Sequence, residues 1–543
     1  MLKTIFFSTI FMVAAQIAPA QSVDEATKLI YYERYSSAED ALHKALQANA
    51  DDAKAWYWLG QAYLMQNKVA EGKDSLAKAP TSVVNNPLFQ VALGHYLLAQ
   101  GDANSAKTNF DKALKQTKEK DENILAAVAR AHTYTKQGNA NYAIELLDKA
   151  IKRDKRNPEW YAMKGDVYRK LDNGSEAYKA YHEALSKDDK YAAAITQLGN
   201  IFVTQKNPDM YLKFFNDAIA ADPQYAPAYY DLYLHYYFRE PAKAMDYFNQ
   251  FVAKSDADPE NDYRFTDLLY LTKQYDKAIG NAEQLIAKNA ETAPRLYKLI
   301  AYSYEGLKDT AKAVTYMQQY FAKAPDSTFV VKDFETMGDL YLTMEGKEDS
   351  AAQFYAKAAA LQTDSTAMFA YYKKLADLFK STKNYSSEAV WLGKYYEGNK
   401  KANNLDLFNW GIAHYRAKEY EKADTVFGTY IKTHPEQGFG YYWRARSNVV
   451  RDSALEKGLA IPYYVKVVEL AEKDTANETN RKWLVEAYGY LAAYETNVEK
   501  DYAVSIDYFK KILAIDPENK DAEKYISVLE KNLQDTGMRT EKE

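Results

Sequence analysis

The chain carries seven histidines, 75 carboxylates and no cysteine. Without cysteine there is no disulfide, no thiolate-held metal or cluster, and no thiol nucleophile. His182-Glu183 lacks the second histidine of a helical zinc-protease pair. Gly-x-Gly-x-x-Gly, the Walker phosphate loop and Gly-x-Ser-x-Gly are all missing. The acidic pairs Asp51-Asp52 and Asp188-Asp189 lack calcium-loop spacing. One spacing stands out. His95, His132 and Asp166 each follow a recurring small residue: Gly94, Ala131 and Gly165. On neighbouring helices about 8–10 Å apart, such residues could approach a shared metal or a polar ligand. A closed metal site needs more convergence than this. The expectation is therefore no catalysis, no cofactor and no metal, with these three as the only metal candidates.

Those small residues belong to a longer series. The marks are Ala26, Gly60, Gly94, Ala131, Gly165, Gly199, Tyr233, Asp267, Ala301, Gly338, Ala376, Gly411, Ala445 and Gly489. Eight of the thirteen intervals are 34 residues, which makes a repeat rather than a set of unrelated domains. Ala45, Ala79, Ala113, Ala150, Ala184 and Ala218 follow their marks by 19 residues. Large residues such as Phe110, Leu147, Tyr181 and Phe215 stand three before that alanine. Small residues let helices approach, and large ones fill the space beside them. Trp56, Leu59, Gly60 and Tyr63 show the helical apolar spacing within one segment.

These residues resemble the tetratricopeptide repeat family. Trp56, Leu59, Gly60, Tyr63 and Ala79 match its pattern, as do Gly165, Tyr168, Ala177, Tyr181 and Ala184. The resemblance implies an all-α fold, a right-handed superhelical solenoid of antiparallel helix pairs. About 14 repeats would occupy residues 21–517, with an irregularity at 447–480. A capping helix would cover 518–534, and 535–543 would be a disordered tail.

Residues 1–20 read as a signal peptide. Lys3 precedes a short apolar run, and Ala18-Pro19-Ala20 offers a small-x-small cleavage site. The run is shorter than the about 20 apolar residues a membrane anchor needs. The expectation is an exported protein, periplasmic or secreted, with no integral membrane span. The formal charge of −5, from 70 basic and 75 acidic residues, gives no footprint for nucleic acid.

In this family the first helix of each pair lines the concave face. Groove positions lie three and two before the mark, and one, four and five after it. They select Tyr57 and Trp58, then Tyr230, Tyr237 and Phe238, then Lys298, which forms a basic patch with Arg295. Further along they select Phe408 and Arg416, and Tyr442, Trp443 and Arg446. Aromatics and arginines are enriched in binding hot spots. The resemblance implies a scaffold that binds a protein or extended peptide, in an outer-membrane or envelope complex. The alternative is a carbohydrate-binding protein of the same fold, stacking sugars on groove aromatics.

Overall fold

The computed structural model describes residues 23–288 and 294–540. The expected signal peptide lies outside them, as do the last three residues of the expected tail. Every described regular element is helical. The chain divides into two compact units, Met1–Leu299 and Ile300–Glu543. Each is a succession of antiparallel helix pairs, as the repeat predicts.

Local sequence explains the helix starts. Side chains of Asp52, Asn86, Asp121, Asn157 and Asn403 accept from the free backbone amides of the turn they precede. Pro87, Pro158 and Pro208 occupy first helical positions, where the missing N–H costs nothing. The three-residue turns between paired helices place their middle residue at positive φ, as in Asn67, Gly101, Asp172 and Lys206. That conformation ends the helix and turns the chain back sharply.

The small and large positions meet as expected. Phe110, Tyr181, Phe215, Tyr355 and Phe427 lie buried against Gly94, Gly165, Gly199, Gly338 and Gly411. Where the intervals lengthen, the cause is specific. Helices Ser365–Ser381 and Glu478–Tyr494 each carry an extra turn. Residues 452–460 form a longer connection before Ile461–Ala471. The closing helix, Lys520–Thr540, runs six residues past the expected end of the cap.

One register differs from expectation. In Ala53–Met65, Pro87–Ala99, Pro158–Lys170 and Ala192–Thr204, the mark lies seven residues after the first helical residue. Helix Glu122–Tyr134 puts Ala129 at that place, not Ala131. Its turn to the next helix spans 135–139, two residues longer than the turns around it.

Candidate functional site

The register correction changes which residues share a place. The position one past the mark holds Gln61, His95, Arg130 and Asp166 on successive first helices. His132 does not belong to the series. Its Nδ1 accepts the backbone N–H of Asn139 at 3.1 Å, and its ring packs on Phe110 and Tyr142. His95 is buried at 3 % exposure, with Nε2 against the Thr135 hydroxyl at 3.0 Å. Burial pushes its imidazole down to about 3, with the charge of Arg130 adding to the effect. Asp166 accepts the hydroxyls of Tyr134 and Tyr181, each at 2.6 Å. The metal candidates thus do not converge: the extra turn residues move His132 off the inner face, both oxygens of Asp166 accept tyrosyl hydroxyls, and His95 keeps only its buried Nδ1 without a hydrogen-bond partner. Among the described residues, no group of three His, Cys, Asp or Glu could hold a metal.

The first unit holds an open-mouthed cavity of about 1020 Å³. Its wall is built from the inner faces of Ala53–Met65, Glu122–Tyr134, Pro158–Lys170 and Ala192–Thr204. Tyr57 and Trp58 line it. Arg130, Tyr134, Glu159 and Asp166 line it too. The Arg130 guanidinium pairs with Glu159 and lies 5.1 Å from the Trp58 ring centre and 5.9 Å from that of Tyr134. Such stacking stabilises a desolvated cation by roughly 0.5–2 kcal/mol. Burial holds the Asp166 carboxyl above the usual range, against the pull of the two tyrosyl hydroxyls. Tyr57 is 3 % exposed, and burial pushes its hydroxyl up to about 12.

The cavity has a wall that sequence spacing does not reveal. The end of the first helix, Val23–Tyr31, reaches the far side of the same unit. The Tyr31 ring lies 5.4 Å from Tyr191 and 5.3 Å from Tyr225, centre to centre. Helix Tyr35–Ala48 has no cap of its own. Asp256 supplies one from more than two hundred residues away, accepting the amides of Ser36 at 2.8 Å and Ser37 at 3.1 Å. It also pairs with Arg34 at 3.5 Å. Asp256→Ala should cost about 0.5–2 kcal/mol, the value of a helix cap. Hydrogen exchange at Ser36 and Ser37 should accelerate while the remaining helices stay protected. Unchanged exchange there would show that the contact is not stabilising.

The remaining groove positions divide by environment. Tyr230 packs on Tyr233 and Phe251 as part of a core. Tyr237 meets Tyr233 edge-on, and Phe238 stands beyond it at 82 % exposure. Arg295 pairs with Glu260 at 2.8 Å over the Tyr263 ring, and Lys298 is half-buried. In the second unit, Lys373 pairs with Asp406 and Lys374 with Asp339. Arg295, Lys373 and Lys374 are thus each met by a carboxylate within the chain.

In the second unit, Phe408 is tucked against Phe427, Tyr430 and Phe439. Arg416 is exposed, with its guanidinium 5.7 Å from the Tyr385 ring. Arg446 lies over Trp443 at 5.2 Å, Tyr442 at 5.6 Å and Tyr415 at 5.9 Å. Its Nε pairs with Glu486 at 3.4 Å. The hydroxyls of Tyr442 and Tyr464 donate to the same carboxylate, each at 2.8 Å. Tyr442 is itself buried, stacked on Trp483. Arg446 and Trp443 thus form a half-buried surface over a satisfied network.

Two family models, both described as tetratricopeptide repeat, match the chain. One covers residues 29–94 and 97–167, the other 299–327 and 407–436. No curated protein matches. Among solved structures, the C-terminal part of a TPR repeat-containing protein from Cytophaga hutchinsonii is 29 % identical. That match covers 49 % of this chain and 99 % of the other, with a TM-score of 0.30. A tetratricopeptide repeat protein from Parabacteroides merdae is 19 % identical over 47 % of this chain and 98 % of its own, at a TM-score of 0.30. PilF from Pseudomonas aeruginosa is 19 % identical over 44 % of this chain and 99 % of its own, again at 0.30.

Proposed function

The chain is a tetratricopeptide-repeat protein, and from that premise we propose that it is an exported scaffold that holds a protein or extended peptide partner. The observation that carries this reading is the cavity of the first unit. It combines aromatic faces with an arginine already held in place, so little side-chain ordering is left for binding to supply. A cavity of about 1020 Å³ has room for a polypeptide segment. The Trp443–Arg446 surface offers a second contact of the same chemistry.

Trp58 and Trp160 both line the cavity, so tryptophan fluorescence reports on it. Titration with peptides from a digested envelope fraction should give a saturable change. A response to oligosaccharides and none to peptides would replace this reading with the carbohydrate one. For the second surface, Trp443→Ala with Arg446→Ala should weaken a bound partner and leave the helical circular-dichroism spectrum unchanged. Undiminished binding would exclude that surface from the site.

Export rests on the Lys3, apolar-run and Ala18-Pro19-Ala20 pattern. The mature protein should begin at Gln21 in the periplasmic or secreted fraction of its host, where an envelope complex would meet it. N-terminal sequencing of fractionated cells tests this, and an intact Met1 in the cytoplasmic fraction would overturn it.

A further inference from the structure

The charge inside the first unit's cavity is uneven. Five carboxylates line it (Asp24, Glu33, Asp121, Glu159 and Asp166) against three cations. Lys54 takes Asp24 at 2.7 Å, and Arg130 takes Glu159. Asp121 caps its own helix. The third cation, Lys28, lies over the Tyr32 ring. Glu33 and Asp166 thus remain as the cavity's carboxylates outside these ion pairs and caps; Asp166 accepts the hydroxyls of Tyr134 and Tyr181, which leave its charge unneutralised, and Arg169 and Arg130 act on it at longer range. Asp166 is partly buried, and burial raises its carboxyl above the ordinary range, while Glu33 is exposed at the cavity's edge. A cation brought between them gains Coulomb energy from both, most of it from the less solvated Asp166.

A second observation points the same way. The cavity already houses one cation of the chain's own, Arg130, between a carboxylate and the rings of Trp58 and Tyr134. More rings of the same kind, Tyr31, Tyr191 and Tyr225, stand on the same cavity wall as Glu33. Carboxylate plus aromatic face is the environment that receives ammonium and guanidinium groups.

We infer that this cavity receives a lysine- or arginine-bearing stretch of the partner polypeptide, with the cationic head held by Glu33 and Asp166 and flanked by tyrosine rings. The inference rests on the peptide-binding reading above and adds the charge of what is bound.

Fluorescence anisotropy of the mature chain tests it with three labelled peptides that alternate glycine with lysine, glutamine or glutamate. At physiological salt, the lysine peptide should bind about tenfold more tightly than the glutamine peptide, with the glutamate peptide weakest. Its affinity should fall as salt rises. Glu33→Gln with Asp166→Asn should remove most of that preference. Asp166 also anchors two tyrosines, so Glu33→Gln alone is the second variant, expected to reduce lysine-peptide affinity by about threefold with an unchanged melting curve. Equal affinity for the lysine and glutamine peptides overturns the inference, as does a lysine preference that both variants retain. If all three peptides bind alike, polypeptide binding stands and only the cation preference fails. If none binds and no envelope peptide does, both fail.

Discussion

Gly165→Leu is expected to cause a large loss of stability in the first unit. A Cβ at that position would lie 2.5 Å from Cε1 of Tyr181. Tyr181 has nowhere to go. It is fully buried, and its hydroxyl is anchored on Asp166. Overpacking of this kind costs about 1–3 kcal/mol, and a leucine goes further than a bare methyl. The same contact recurs at Gly94 with Phe110 and at Gly411 with Phe427, so equivalent substitutions should behave alike. Gly280 is the control. It lies within Tyr275–Lys288, and a methyl added there would meet nothing within 4 Å. Gly280→Ala should stabilise by roughly 0.5–1 kcal/mol through backbone entropy. Thermal denaturation of the two variants side by side decides the matter. An unchanged midpoint for Gly165→Leu would refute the packing of this helix pair.

Arg130→Ala is the second large effect. The Arg130 side chain is 11 % exposed and its partner Glu159 is 41 % exposed. Breaking a fully buried pair costs about 3–5 kcal/mol. Because Glu159 retains access to water, about 1–3 kcal/mol is the better expectation here. The loss includes packing, since the guanidinium covers the Trp58 ring. Replacing both partners, as Arg130→Met with Glu159→Gln, should recover much of the stability, because no lone charge is left behind. A double variant no more stable than Arg130→Ala would mean that the pair is not the source of the loss.

What sequence reveals here follows from the distance over which each interaction acts. Gly165 and Tyr181 belong to one helix pair, so their spacing repeats and announces the fold. Arg130 is hidden by its turn. The two extra residues in 135–139 shift the apparent mark from Ala129 to Ala131, which moves the inner face by two places. Asp121 marks the true helix start, and counting from that cap recovers Arg130. The meeting of Tyr31 with Tyr191 and Tyr225 is a different matter. It depends on the summed rotation of many repeats, and no local pattern encodes it. Groove position alone also fails to separate Phe238, which is exposed, from Phe408, which a neighbouring repeat covers.

Engagement of a protein partner by the first unit's inner surface is tested most directly by affinity capture. The bait is mature protein, set beside a Trp58→Ala, Tyr134→Ala variant shown to be folded, in a detergent-solubilised envelope extract of the host. Mass spectrometry would identify and quantify what is held. A stoichiometric polypeptide should bind the unaltered protein and be largely lost from the variant. An empty capture by the folded, unaltered protein, or equal capture by both, would contradict a partner site on that surface.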